Sequence, residues 1–563
     1  MVLGRSAIDP SRAPAMLDTG TWDPAAAAAA ISRGAESWAA RAGGAPGSPG
    51  SPPASPVLSC EGKRVFLAEL PDSQRVFLEV GPGGGGLLGK PFHQVRLGDG
   101  RFLSAHPTDA SVIDFFCRRL SPPNAPRALG RTPRIGIGTR MSTLVWPGAF
   151  AAMDEKGFAA NTIQNSVREL NLLDDLRRGV PPERRYAAGF GMIESGYTGS
   201  TFEGLWVAGV LAALAHPRPL AYGADADHIQ LRRSDPSLEQ AFRVVDAARY
   251  YTFFTIDAAD ILSYGAFTDE ASGDEHARRA IPDDRERREV LAWHEEAGRR
   301  GAPIPPDVLG RCVEKYWAAF RALGLIGERL AALRSGAPYD LEFAFDEHPP
   351  EIAGPDCITT DEELRFVARE VTRRGLPVTH LAPNFGVEKG FDYRIIDGLQ
   401  GLEKRVASHQ RIAGELGFLL DVHSADDLSA ATCRAIGHAT GGQLHYKISP
   451  SLHLLFAQTV HDCAPEAFGP WWDDAVSYAR EEARSGSRFA ADCLAAWEAG
   501  ARDRSPTQEV FRHFFFAYPG RRGPDGGFLH REALYSFPAG LYREYQSRVS
   551  SFLRAIAADL FGR

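Results

Sequence analysis

From residue 134 to residue 448, short apolar runs alternate with stretches of helical spacing. Eight runs have strand character: RIGIG (134–138), AAGFGMI (187–193), PLAYG (219–223), YTFFTI (251–256), LEFAF (341–345), LPVTHLA (376–382), GFLLDVH (417–423) and LHYKI (444–448). Between most of them apolar residues recur at three- and four-residue intervals, most clearly over 305–334, 360–374, 397–415 and 425–439. Thr360 and Glu363 have the spacing of a capping box at the start of one such helix. Strand and helix in alternation predict a parallel sheet. Eight units over this length predict a (β/α)8 barrel of the TIM type. A doubly wound open sheet is the alternative architecture.

The flanks follow other periods. Residues 58–108 carry short period-two runs (KRVFLAEL, QRVFLEV, HQVRL, RFLSA) separated by glycine-rich breaks, as in a small antiparallel sheet. The break GPGGGG at 81–86 lacks the GK[ST] ending of a phosphate loop and no helical pattern follows it, so it reads as a hairpin tip. TDASVIDFFCRRL at 108–120 has helical spacing behind a capping Thr or Asp. Upstream, 23–57 is rich in Ala, Gly, Pro and Ser. Its first half could be a short helix and its second half is a linker by composition. Residues 265–304 are charged and bounded by proline, as an insertion after the fourth strand would be. Beyond 450 the chain turns helical and aromatic. The expected division is a flexible region over 1–57, a β-rich subdomain over 58–130, the barrel over 131–470 and a helical extension over 471–563.

Composition narrows the function. The chain has 563 residues, 44% of them hydrophobic, and a formal charge of −8, so the domain-wide basic footprint of a nucleic-acid binder is absent. No apolar run is long enough to span a bilayer, and the first twenty residues show no apolar stretch of leader length. Seven scattered cysteines without a CxxC pair indicate neither a disulfide framework nor a zinc ribbon. The expectation is a cytoplasmic enzyme acting on a small molecule, without nucleic-acid or membrane partners; assembly with further copies of itself stays open.

In a barrel, chemistry gathers where strands end. The third run leads into YGADADHI, with Asp225, Asp227 and His228. The fifth contains Glu342 and leads to Asp346 and Glu347. The sixth contains His380 and leads to Asn384; the seventh ends in Asp421 and His423; the eighth contains His445 and Lys447. Alternation places Glu342, Ala344 and Asp346 on the inward face. A carboxylate there needs a partner, a hydrogen bond or a proton. His228, His380 and His423, from three separate strands, fit a catalytic divalent-metal site with one open position. Each of these histidines could instead be a hydrogen-bonded core or loop residue. Glu342 could simply pair with Lys447, and Asp227 could cap the next helix.

Four segments carry a resemblance. YGADADHI, LEFAFDEHPPEI…ITTDEEL, THLAPNFGVEKGFDY and LLDVHSADD resemble the tagaturonate/fructuronate epimerase family, over about residues 130–480. The resemblance implies a metal-dependent, aldolase-like barrel with Zn, Mn, Ni or Co as the ion and a sugar acid or ketose as substrate. It makes His228 and His423 metal ligands and Asp227 a base. It also suggests His380 as third ligand and Glu342 as proton donor, with Glu347 competing for the last role. The Ala/Pro-rich head, the insertion and the LDVHSADD turn depart from the family pattern and leave the substrate open. For the substrate, Asn384 is a candidate contact, and Lys447, Lys389 and Arg140 are candidate cations for its carboxylate.

The two sugar acids differ at a hydroxyl-bearing carbon β to the ketone, where simple enolisation does not loosen the C–H bond. Retro-aldol cleavage with rotation and re-addition is one route, and deprotonation followed by reprotonation is the other. A metal on the ketone oxygen serves the first, and an acid and a base on opposite sides serve either. An aldolase that releases its fragments, and a barrel that keeps the site without turnover, are the competing functions.

Overall fold

The computed structural model describes residues 22–43, 55–71, 74–84, 86–140, 144–187, 191–232, 237–347, 357–388, 390–423, 425–500, 502–524 and 528–562. An antiparallel sheet comes first: β1 (Leu58–Cys60), β2 (Lys63–Glu69), β3 (Arg75–Gly81), β4 (His93–Arg96) and β5 (Phe102–His106), in the order β1-β2-β3-β5-β4. Its period-two pattern divides it between two cores. Val65, Leu67 and Phe77 join the main core, where Phe77 stacks on Phe116 of the helix Ala110–Arg119. Phe66, Ala68, Val76 and Leu78 face the other way, against Ile31 and Trp38. Those last two belong to the helices Pro24–Arg33 and Ala35–Ala42, so this part of the stretch expected to be flexible is packed.

The barrel closes from β6 (Arg134–Gly138) and β7 (Ala159–Ser166), past a separate antiparallel hairpin of β8 (Arg184–Ala187) and β9 (Gly191–Glu194). It continues through β10 (Tyr222–Gln230), β11 (Phe253–Asp257), β12 (Asp340–Ala344), β13 (His380–Ala382), β14 (Leu419–Val422) and β15 (Leu444–Ile448). Every barrel neighbour is parallel, and β15 pairs back onto β6. This is the expected (β/α)8 architecture, with one strand reassigned. The second barrel strand is AANTIQNS, and the run AAGFGMI contributes to the hairpin. AANTIQNS escapes an apolar-run search because Asn161, Gln164 and Asn165 are polar yet buried.

Helices follow as the spacing predicts. Pro306–Arg334 links β11 to β12 after the insertion, which itself forms the helices Gly273–Ala280 and Asp284–Arg300. Asp361–Arg373 begins with the Thr360–Glu363 capping box. After β15 come the helices Pro450–Cys463, Pro465–Arg484 and Arg488–Ala499, and the chain ends with Ala539–Phe561. Among the described residues no helix is long and apolar enough to cross a membrane. None of the seven cysteines forms a disulfide.

Candidate active site

The segment YGADADHI is part of β10 rather than a loop behind it. Alternation alone would send Asp227 and His228 to opposite faces. The pairing of β10 with β11 slips between Ala226 and Ile229, and His228 takes a left-handed φ of +48°. This conformation is costly for a side chain with a Cβ. Its effect is that both residues reach the mouth. Asp227 Oδ1 lies 3.0 Å from Lys447 Nζ, and the His228 ring lies 4.8 Å from that of His423, centroid to centroid.

Lys447 is the hub. Its buried ammonium sits 2.9 Å from Glu342, 3.0 Å from Asp227, 3.2 Å from Asp225 and 3.7 Å from Asp421, and it donates to Thr255 Oγ1 at 2.6 Å. Room for it comes from Gly136 on the neighbouring strand, where a Cβ would stand 2.8 Å from Lys447 Cγ and 2.5 Å from Gln164 Oε1. The Glu342–Lys447 ion pair, the alternative to a proton-transfer role for Glu342, is present as one spoke of four. Lys447 is already surrounded by carboxylates, so its placement does not single it out for the carboxylate of a substrate.

Around the hub lie two sets of donor atoms, each within 4.8 Å of one another: His228, Asp257 and Glu347, and Glu342, Asp421 and His423. In the first, His228 Nδ1 is 3.3 Å from Asp257 Oδ2 and 3.9 Å from Glu347 Oε1. In the second, His423 Nε2 is 2.7 Å from Glu342 Oε1 and 3.6 Å from Asp421 Oδ2, while Nδ1 is 3.1 Å from Asp346 Oδ1. Glu342 Oε1, both Asp421 oxygens and both His423 nitrogens are buried without a hydrogen-bond partner of good geometry. Converging, desolvated donors of this kind suit a divalent cation.

The charges are strongly coupled. Burial pushes Asp225 up to about 7 and Glu342 up to about 8, with neighbouring carboxylates adding to the rise and Lys447 opposing it. Burial works against Asp227 too, but Lys447, His228 and His423 hold its carboxyl below the usual range. Asp421 is held low in the same way by His445, Lys447 and His423. Against the cost of burial, Asp227 and Glu347 raise His228, and Asp346 and Glu342 raise His423 further.

The structure does not bring every candidate to this centre. His380 opens β13 and lies deeper, against the Phe253 ring at 4.8 Å and the His445 ring at 5.6 Å. Its Nδ1 is 2.7 Å from Thr379 Oγ1, and it belongs to neither donor set. Asn384 Nδ2 donates to the Asp346 carbonyl at 2.7 Å and its Oδ1 accepts from Gly386 N at 2.7 Å, so its side chain shapes the loop. Arg140 stands at the end of β6 with φ of +37°, 3.1 Å from Glu169 and bonded to Tyr197 Oη and Ser449 Oγ. Lys389 lies outside the described residues. Two residues at the centre were not anticipated. Asp257 directly continues the run YTFFTI and was readable there. Arg168 follows the overlooked β7 and holds Glu347 through a fork, at 2.9 and 3.4 Å.

The tagaturonate epimerase family model matches residues 115–492. Among solved structures, the native crystal structure of fructuronate-tagaturonate epimerase UxaE from Cohnella laeviribosi superposes with a TM-score of 0.64, and its complex with two glycerols with 0.65. Each is 19% identical, over 90% of this chain and 95% of the other. No curated protein matches in sequence. The superpositions establish the shared fold over nearly the whole chain. The family match spans more than half of it and contains every residue of the two donor sets, and on that ground the chain belongs to the tagaturonate epimerase family and is an epimerase.

Proposed function

We propose that the chain interconverts tagaturonate and fructuronate, or a closely related keto sugar acid, with a divalent ion at the barrel mouth. The supporting observation is the pair of histidines, His228 and His423, 4.8 Å apart, each beside buried carboxylates. They would hold the ion, with Asp257 and Glu347 on one side and Asp421 on the other. When bound, the ion supplies Lewis-acid polarisation of a carbonyl oxygen. His380 is left out of the ligand set because Phe253 and His445 enclose it deeper in the barrel.

The proton work falls to the chain's own carboxylates. Asp227 and Glu342 both touch Lys447, at 3.0 and 2.9 Å, from strands on either side of β11. Asp227 takes the proton and Glu342 returns one, while the shared ammonium offsets whichever carboxylate carries charge. Arg140, at the end of β6 beside Glu169, is the cation assigned to the carboxylate of the substrate. A cytoplasmic setting accords with seven cysteines that form no disulfide.

The test is incubation of metal-stripped protein with tagaturonate, fructuronate, tagatose and fructose, each with Zn²⁺, Mn²⁺, Ni²⁺ or Co²⁺, and chiral separation of products. Interconversion of the sugar acids that requires added metal is the expected result. Turnover that chelator leaves untouched would remove the ion from the reading. Accumulation of three-carbon fragments would make the chain an aldolase.

A further inference from the structure

The insertion after β11 has no part in the reaction just described, yet it walls a second cavity. The helix Asp284–Arg300 and the turn after it close over the helices Asp361–Arg373 and Gly398–Leu416. The space between is about 340 Å³, lined among others by Trp293, Arg300, Arg365, Arg369, Ile412 and Leu416. This volume lies within the range of small-ligand sites.

Its charge is unbalanced in a telling way. Five arginines of the described residues are buried. Four have a carboxylate: Arg134 has Asp340 at 2.9 Å, Arg140 has Glu169 at 3.1 Å, Arg168 has Glu347 at 2.9 Å, and Arg287 has Asp284. Arg369, 6% exposed, has none among the described residues. Its Nη2 donates to the Ala302 carbonyl at 2.7 Å, and Nη1 has no partner. Arg365, one helical turn earlier and on the same face, keeps only distant carboxylates, at 3.7 and 3.9 Å. One acid, Glu415, lines the cavity, and it lies 3.5 Å from Arg411. A desolvated guanidinium without a counter-charge is expensive, and the expense is removed if an anion occupies the cavity.

We propose that this cavity binds a small organic phosphate, with the anionic group on Arg365 and Arg369 and the planar or apolar part against Trp293, Ile412 and Leu416. Guanidinium forks match phosphate oxygens, and an indole face accepts a flat ring. A nucleoside monophosphate has both parts.

Calorimetry on the full chain with AMP, a ribose phosphate, inorganic phosphate and adenosine tests this. AMP binding more tightly than inorganic phosphate, with adenosine failing to bind, is the expected order. Arg369→Met and Arg365→Met should each weaken AMP by at least about 10-fold, the scale of one lost charge-assisted contact. Trp293→Ala should weaken AMP and leave inorganic phosphate unchanged. Without ligand, Arg369→Met should melt no lower than the native chain, because it removes an uncompensated charge. The proposal fails if no phosphate binds at millimolar concentration, or if both arginine variants bind AMP as the native chain does. It also fails if Arg369→Met melts markedly lower, which would make the guanidinium a strut for Ala302. Epimerase turnover in Arg369→Met, unchanged, keeps this result separate from the fate of the active-site assignment.

Discussion

The barrel interior holds two polar clusters at different depths, and they treat histidine in opposite ways. The deeper one is drawn from the first residues of its strands: Arg134, Phe253, Asp340 and His380, with His445 one position further on. Arg134 and Asp340 pair at 2.9 Å, and Phe253 packs edge-on against both imidazoles, which also touch each other. Burial pushes His380 well below its ordinary value and His445 down to about 4. The upper cluster lies at the mouth, where Asp225, Asp227, Asp257, Glu342 and Asp421 surround one lysine, and there His228 and His423 are raised. The same residue type is pushed toward its neutral form at one depth and toward its protonated form at the other, in the absence of an ion. What separates them is the ratio of carboxylates to fixed cations around each ring.

The sharpest way to break this comparison is to remove one histidine from each depth. His228→Ala and His423→Ala should lose the bound ion, measured by elemental analysis of purified protein, together with nearly all turnover. His380→Gln should retain the ion. Stoichiometric metal in His423→Ala would remove His423 from the ligand set. Next in size, Asp227→Asn should keep the ion and the fold but slow turnover by about 10²–10⁴-fold, the range for loss of a positioned acid or base. Native turnover in that variant would leave Asp227 as a mere counter-ion of Lys447.

These contrasts were only partly legible in the sequence. Seven of the eight barrel strands announce themselves as apolar runs because their outward residues pack on helices. β7 does not, since the buried polar Asn161, Gln164 and Asn165 dilute the signal. Inward facing was readable by alternation for Glu342, His380 and Lys447. Depth was not, because depth depends on how each strand is staggered against its neighbours. For that reason His380 looked equivalent to His423. The irregularity that brings Asp227 and His228 together is likewise invisible in residue types, being a slip in pairing between two strands. Arg168 stayed hidden because its strand was missed.

The lower cluster invites a stability experiment. Asp340 receives Arg134 Nη1 at 2.9 Å and the backbone N–H groups of Leu129 and Gly130 at 2.9 and 3.1 Å. Asp340→Asn removes the counter-charge of a fully buried guanidinium and should cost about 3–5 kcal/mol in denaturant unfolding. Metal content at the mouth should be unchanged. Loss of metal in the folded variant would mean that the two depths are one electrostatic unit.

The smallest effect tests whether burial alone explains the neutral histidines, at a site far from either cluster. His409, on the helix Gly398–Leu416, is buried against Phe385, with the Asp361 carboxylate 3.5 Å away. Burial pushes its imidazole down to about 4, against an ordinary value of 6.5, and Asp361 only partly opposes this. Below 6.5 the unfolded chain therefore binds a proton that the folded chain refuses, so stability falls as the pH drops from about 6.5 toward 4. The slope from this one group is at most about 1.4 kcal/mol per pH unit. His409→Gln removes the titrating ring and should flatten the unfolding free energy between these limits relative to the native chain. If the two chains show the same pH dependence, Asp361 compensates His409 fully. Burial would then be too weak a reason for the neutrality of His380 and His445, which would have to rest on Arg134 instead.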